Sequence, residues 1–265
     1  MLLNSVVIVL REVLEAALMI SILLAASRRL QLSLRWLVVA IIAGLAGAIS
    51  YAHFLGAISE LFDGVGQELL NATLQVGVFL SLLIVVFLIA GQQRKTQVST
   101  SLLSVMMAAA VALAVAQEGS EIFIYVAGFV QMSDFLSSVA VGSIAGAGIG
   151  FSVGVLFYYL LLALPAGRAL WMSLGLLGLV GASMCIQAAK MLIQADWLSA
   201  AAPIWDTSWL IGEDSVFGHL LYALIGYEAT PSLIEVAAYV GSLGVILIAA
   251  LLGWGLLARR TEQSR

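Results

Sequence analysis

Apolar residues along the chain fall into seven long stretches, separated by shorter polar segments. A membrane-crossing helix needs about 20 mostly apolar residues, and each stretch is long enough to supply them. The stretches are too long for β-spans, and they lack the alternation of a strand with one face toward lipid. The pattern therefore predicts seven transmembrane helices, at about residues 3–26, 36–57, 72–92, 102–129, 136–163, 168–194 and 233–257.

Composition supports a membrane protein and excludes several other classes. Of the 265 residues, 63% are hydrophobic and 10% are charged, whereas soluble domains have about 45–50% and about 25%. This balance excludes a disordered chain. With 11 Lys and Arg against 15 Asp and Glu there is no basic surface for nucleic acid, and the single Cys185 excludes a disulfide scaffold. We expect an all-α integral membrane protein with one transmembrane domain, in contact with the lipid bilayer throughout.

The basic residues between the predicted helices indicate the orientation of the chain, because Lys and Arg concentrate in cytoplasmic loops. Seven crossings place nine of them on one side: Arg28, Arg29, Arg35, Arg94, Lys95, Arg168, Arg259, Arg260 and Arg265. The N-terminus is then outside and the C-terminus cytoplasmic. The opposite loops carry nine acids instead: Glu60, Asp63, Glu68, Asp134, Asp196, Asp206, Glu213, Asp214 and Glu228. The insertion rule explains the missing bases, whereas the acids favour a vestibule that concentrates cations.

The first predicted helix contains three charged residues in its apolar stretch: Arg11, Glu12 and Glu15. Its twelve Leu, Ile and Val residues between Ser5 and Ala26 supply roughly −4 to −7 kcal/mol of insertion free energy. The three charges cost of the order of +9 kcal/mol. This helix is therefore unfavourable alone in lipid, and its charges must face other helices, a wet cavity or a bound ion. An ion pair of Arg11 with Glu15 would neutralise one carboxylate but leave Glu12 unexplained.

A second pair of carboxylates, Glu118 and Glu121, lies in the fourth predicted helix with the same three-residue spacing as Glu12 and Glu15. Three crossings separate the two pairs, so their helices run in opposite directions. This arrangement is typical of an inverted repeat with its site at the bilayer midplane. We expect repeat one at about 1–96, repeat two at about 97–195, an external loop at 196–231 and a last helix at 232–258.

Four carboxylates converging at the midplane would repel one another unless some are protonated or a multivalent cation lies between them. Sites built only from oxygen ligands suit hard cations. The two histidines, His53 and His219, are too few and too far apart in sequence to suggest a histidine-based site. From the residues alone, the prediction is a cation permease or a proton-coupled carrier. An intramembrane hydrolase is disfavoured, because the chain has neither H-E-x-x-H nor G-x-S-x-G.

The motifs R-E-V-L-E from Arg11 to Glu15 and Q-E-G-S-E from Gln117 to Glu121 resemble those of the high-affinity iron permeases. That family includes fungal ferric permeases that work with a multicopper oxidase, and bacterial permeases of the EfeU type. The stretch G-Y-E-A-T-P-S-L-I-E from Gly226 to Glu235 is similar to the family's pattern before its last helix. The resemblance covers essentially the whole chain and agrees with the seven-helix layout.

The resemblance implies a set of metal-binding residues and a set of supporting ones. The metal ligands would be Glu12, Glu15, Glu118 and Glu121, supported by Arg11, Gln117, Lys190 and Glu235, with possible access residues Asp206, Glu213 and Asp214. Gln117 stands where the family usually has Arg, so the centre has one positive charge fewer. Lys190 either compensates for that charge or extends to the interface. Glu235 is either a ligand or the acid of a Ser232–Glu235 capping box.

The resemblance also implies that the protein imports iron, which is a transported substrate rather than a permanently bound cofactor. It implies a multi-pass protein of the cell membrane, most simply a bacterial inner membrane. A separate extracytoplasmic oxidase or metal-binding protein would be its partner. The alternatives are a permease for another divalent or trivalent metal, and a proton-coupled carrier that uses the same glutamates. No enzymatic activity is expected.

Overall fold

The computed structural model describes residues 1–92, 99–130, 132–199, 201–212 and 215–262. Within these ranges the chain is helical and forms no strand, only an isolated antiparallel bridge between Pro203 and Ser232. The helices are α1 (Leu2–Arg29), α2 (Arg35–Ser59), α3 (Gly66–Gln92), α4 (Thr100–Ala127), α5 (Ser133–Ala163), α6 (Ala166–Gln194), α7 (Val216–Ile225) and α8 (Leu233–Glu262), with a 3-10 turn at Leu61–Gly64.

Each of the seven predicted membrane helices corresponds to one long helix of the structure. Within the described residues, six helices are long and apolar enough to cross a membrane, namely α2 to α6 and α8. Helix α1 is not among them, because Arg11, Glu12 and Glu15 lie within its apolar stretch. The protein is therefore an all-helical, multi-pass membrane protein, and α1 needs the other helices to shield its charges.

The two ends of the helix bundle differ in charge. Arg28 and Arg29 end α1, Arg35 begins α2 and Arg168 lies in the first turn of α6; these residues define the basic end. At that end the Arg29 guanidinium donates to the Leu164 carbonyl oxygen at 2.7 Å. The acidic end carries Glu60 and Asp63 between α2 and α3, Asp134 at the start of α5 and Asp196 after α6.

Helices α1 and α5 run parallel in close contact, because α5 presents a glycine at every fourth position. A Cβ added to Gly142 would lie 2.6 Å from the Leu2 carbonyl oxygen, and one added to Gly154 would lie 2.8 Å from Ala17 Cβ. Glycine and other small residues allow two membrane helices to approach this closely. The pair is therefore tight along most of α1.

Helices α2 and α4 form a second parallel pair of the same kind. A Cβ added to Gly44 would lie 2.7 Å from Val115 Cβ, and one added to Gly47 would lie 2.9 Å from Ala116 Cβ. Helices α1 and α4 contact each other between the two pairs. Among the described residues α2 and α5 do not touch, whereas α3 packs on α6 and α8 packs on both. The bundle thus has an α2/α5 side and an α3/α6 side.

The short helix α7 lies within the segment that the sequence predicts as an external loop. Its N-cap is Ser215, whose hydroxyl accepts from the Gly218 amide at 2.9 Å, and its C-cap is Gly226 with φ 65°. Ala223 is buried against Leu14 and Leu18 of α1. These two residues lie near the middle of α1, so α7 reaches the depth of the charged motif. The segment predicted as an external loop at 196–231 thus contains a short helix.

Candidate metal centre

Helices α1 and α4 bring three carboxylates together in the interior of the bundle. One oxygen from each of Glu12, Glu118 and Glu121 lies within 4.8 Å of the other two. Only 7% of Glu12 and 5% of Glu118 is exposed, and Glu121 is half-buried. The spacing of three residues puts Glu118 and Glu121 on one face of α4, and that face meets Glu12 where α1 and α4 contact. We refer to these three residues as the carboxylate centre.

Electrostatic repulsion makes the carboxylate centre unstable as three bare anions. Two unit charges 4.8 Å apart repel by about 3–4 kcal/mol at an effective dielectric constant of about 20. A proton held by one of the carboxyl groups would remove one of these charges. A multivalent cation coordinated by the three oxygens relieves the same repulsion. The centre can therefore hold a proton or a hard cation.

Glu15, the fourth predicted ligand, is held outside this group by two other side chains. Its Oε1 forms an ion pair with Arg11 Nε at 3.4 Å, and its Oε2 accepts from Gln187 Nε2 at 2.8 Å. Gln187 belongs to α6 and in turn accepts a hydrogen bond from Gln75 of α3. The structure thus brings together three of the four predicted ligands and ties the fourth to α3 and α6.

Glu121 is hydrogen-bonded to an amide side chain of α3, as Glu15 is to one of α6. Asn71 Nδ2 of α3 donates to Glu121 Oε1 at 3.5 Å, and the Tyr51 hydroxyl of α2 donates to Asn71 Oδ1 at 2.7 Å. Gln117 is buried and lies four residues before Glu121, on the same face of α4. The residue in place of the expected Arg therefore lies beside the centre without adding charge.

Two cations lie against the ring of Tyr222, which α7 carries into the interior. The Arg11 guanidinium carbon is 4.7 Å from the ring centroid, and Lys190 Nζ is 5.6 Å from it. Both distances are within the range of a cation–π interaction. Lys190 also forms an ion pair with Glu228. Lys190 thus neutralises Glu228, in the segment after α7, rather than a residue of the carboxylate centre.

A polar cavity of about 340 Å³ opens beside Glu121 on the α3/α6 side, toward the acidic end. Amide, carboxyl and phenol groups line it, from Gln67, Glu68, Asn71, Glu121, Tyr125 and Gln194. The Oε2 atom of Glu68 is buried and has no hydrogen-bond partner among the described residues. A second cavity, of about 500 Å³ and with mostly apolar walls, lies on the α2/α5 side and includes Glu12 and Glu118 in its lining. The carboxylate centre lies between the two cavities.

The remaining predicted residues lie apart from the centre. The Glu235 carboxylate accepts from the Ser232 amide at 2.6 Å, and the Glu235 amide donates to Ser232 Oγ at 3.4 Å, which is the geometry of a capping box at the start of α8. Asp206 is exposed and accepts from the Ser208 amide at 2.9 Å, and the hydrogen bonds from Ser208 lower its pKa. Glu213 and Asp214 lie outside the described residues.

The sequence reasoning missed Asn71 and Gln187, which hydrogen-bond Glu121 and Glu15, and Tyr222, whose ring contacts Arg11. A signal for two of them was present, because an amide within an apolar stretch is expensive in a membrane and therefore points to a polar partner. Gln187 interrupts an apolar run of α6, and Asn71 precedes one in α3. No such signal marks Tyr222 in the sequence, because its position beside Arg11 depends on how α7 folds back onto α1.

Comparison with known proteins identifies the family to which this architecture belongs. No curated protein and no solved structure matches the chain. The model of the iron permease FTR1 family matches residues 2–262, which includes both carboxylate motifs and the segment that precedes α8. Members of that family are transporters. Because the match spans nearly the whole chain, this protein belongs to the iron permease FTR1 family.

Proposed function

We propose that the protein imports iron across the cell membrane, and that Glu12, Glu118 and Glu121 bind the ion on its way. The observation that carries the proposal is the convergence of these three carboxylates within 4.8 Å, inside a chain of the iron permease family. Iron ions, ferric iron above all, favour oxygen ligands of this kind. Glu15 is a further candidate ligand, which Arg11 and Gln187 hold about one helical turn from Glu12.

The charges at the two ends of the bundle support the direction of transport. The basic end faces the cytoplasm, because Lys and Arg concentrate on that side. The acidic end and the N-terminus are then outside. This orientation requires α1 to cross the membrane as well, in addition to the six apolar helices. An iron ion attracted to the acidic end reaches Glu121 through the polar cavity, where Glu68 and Asn71 supply oxygen atoms before the centre is reached.

Helix packing supports the inverted repeat. A pseudo-two-fold axis that exchanges α1–α3 with α4–α6 converts the α1–α5 contact into the α4–α2 contact, and both pairs are parallel and tight. The same axis exchanges the bond from α6 to Glu15 with the bond from α3 to Glu121. Because each tight pair joins helices of different repeats, the parts that move to carry the ion between the two faces of the membrane would be the α1–α5 pair and the α2–α4 pair.

Two alternative functions rest on the same observation, the three carboxylate oxygens within 4.8 Å of one another. Such a group binds protons as well as hard multivalent cations, so it also suits a proton-coupled carrier or a permease for another divalent or trivalent metal. A separate extracytoplasmic oxidase or metal-binding protein as partner, and a bacterial inner membrane as location, are proposals that rest on the resemblance alone.

The test is uptake of radioactive iron by proteoliposomes, for the unchanged protein and for the Glu118→Gln and Glu60→Gln variants. Glu118→Gln keeps the shape of the side chain but removes one charge of the centre, so we expect uptake to fall to background. Glu60→Gln changes an exposed acid at the acidic end and should transport normally. Normal iron uptake by Glu118→Gln would contradict the proposed site. Preferential uptake of manganese or zinc in the same assay would favour a permease for another metal.

A further inference from the structure

The apolar cavity on the α2/α5 side extends from the carboxylate centre almost to the basic end. Glu12 and Glu118 lie at one end of its lining, and Leu24, Leu37 and Tyr158 lie at the other. Leu37 is in the first turn of α2, and Leu24 is about one and a half turns from the end of α1. The cavity exists because α2 packs on α4 and α5 packs on α1, without contact between α2 and α5 among the described residues.

The α3/α6 side is solid at the same depth. Met19 and Ile22 of α1, Leu82 of α3, Met107 of α4 and Leu177 of α6 belong to one continuous core, and none of them is more than 1% exposed. An ion moving from the centre toward the basic end on this side would have to displace tightly packed side chains. On the α2/α5 side the space is already present.

We propose that this cavity is the inner half of the ion path, so that the ion enters on the α3/α6 side and leaves on the α2/α5 side. The proposal rests on the proposed function and adds the route by which Glu12 and Glu118 release the ion. The path crosses the α1/α4 contact diagonally, and the carboxylate centre is where the two halves meet.

The apolar lining explains how this half of the path is closed in the observed conformation. A charged ion pays a very large desolvation free energy in a dry apolar space, and hydrophobic constrictions close channels by excluding water. Ser21 offers the ion little here, because its hydroxyl donates to the carbonyl oxygens of Ala17 and Gly154. Separation of the α1–α5 pair from the α2–α4 pair would admit water and open the route to the basic end.

The experiment measures thiol accessibility at two adjacent residues of α2, in a background with Cys185→Ala. Ile41 lines the cavity, whereas the side chain of Ile42 is 64% exposed on the outer surface of α2, where lipid would cover it. Ile41→Cys and Ile42→Cys are reconstituted and treated with a charged, membrane-impermeant thiol reagent from either side, with and without iron. Iron uptake is measured before and after the treatment.

We expect Ile41→Cys to react at least about tenfold faster than Ile42→Cys, because only a thiol in contact with water ionises readily. The reaction should come from the basic end, speed up during transport and block uptake. Leu24→Cys, at the far end of the cavity, repeats the test if Ile41→Cys does not insert. Equal rates for the two residues, reaction only from the acidic end, or full uptake after modification would overturn the proposal.

The same data separate this proposal from the proposed function. If neither the unmodified variants nor the unchanged protein takes up iron, the proposed function fails, and the pattern of labelling still shows whether water enters the cavity. If uptake is normal and Ile41→Cys stays unreactive in the presence of iron, the proposed function stands and the inner route is wrong. A cavity filled by lipid tails would give this second result.

Discussion

At the scale of single residues, the two carboxylate motifs differ by one charge. Arg11 precedes Glu12, whereas Gln117 precedes Glu118. A positive charge at position 117 would repel a bound cation. We expect Gln117→Arg to raise the half-saturating iron concentration in uptake assays at least about tenfold, which corresponds to about 1.4 kcal/mol. Gln117→Met is the control, because it removes the amide without adding charge, and an equal effect of both variants would contradict the electrostatic explanation.

Gln187 donates a hydrogen bond to Glu15, whereas Gln75 donates one to Gln187. Gln187→Leu removes the donor to Glu15 Oε2, whereas Gln75→Leu breaks only the bond between the two glutamines. Loss of a partner of a buried polar group costs about 1–3 kcal/mol. We expect Gln187→Leu to lower iron uptake clearly more than Gln75→Leu at equal expression. Similar uptake by the two variants would mean that the position of Glu15 does not matter for transport.

The sequence identified the glutamates but not the division of roles among them. Charges in an apolar helix are visible in any reading of the sequence, because each carries a large insertion cost. The difference between Glu12 and Glu15 is not visible, since both lie on the same face of α1. It arises from Gln187, which is 172 positions away in the chain and comes close only when α6 packs on α1.

At the scale of helices, the contact between α1 and α5 depends on glycines that face α1. A Cβ at Gly146 would overlap the backbone of α1 at Val6 and Leu10, whereas a Cβ at Gly148 would meet nothing within 4 Å. We expect Gly146→Leu to destabilise the protein and lower its thermal unfolding temperature in detergent, because the helices can no longer approach. Gly148→Leu adds the same apolar surface on a free face, so an equal loss in both variants would rule out the packing argument.

Each predicted membrane helix overlaps a long helix of the structure, because insertion into a bilayer depends on apolar length. The predicted and observed helices differ where the structure has helical segments that hydropathy does not detect. Helix α3 begins at Gly66 rather than near residue 72, since Gln67, Glu68 and Asn71 face the polar cavity from its first turns. Helix α7 has only ten residues, too few to span a membrane, and its burial against α1 is a tertiary contact that hydropathy alone does not predict.

At the scale of the whole molecule, the carboxylate centre lies where the α1–α5 pair meets the α2–α4 pair. Glu12 comes from the α1–α5 pair, and Glu118 and Glu121 come from the α2–α4 pair. An ion between them would therefore strengthen the junction that the contact of α1 with α4 already forms. The sequence indicates this arrangement, because the two motifs lie on predicted helices that cross the membrane in opposite directions. The tight pairing of α1 with α5 is visible only in the structure.

Ion binding at this junction should stabilise the entire fold, because the binding site exists only when the two halves are assembled. A ligand at one hundred times its dissociation constant adds about 2.7 kcal/mol to the free energy of unfolding. We expect iron to raise the thermal unfolding temperature of the purified protein in a concentration-dependent manner. The shift should disappear in a Glu12→Gln, Glu118→Gln double variant and persist in Glu60→Gln. An undiminished shift in the double variant would place the stabilising ion elsewhere, whereas its loss together with uptake would tie stability and transport to the same three carboxylates.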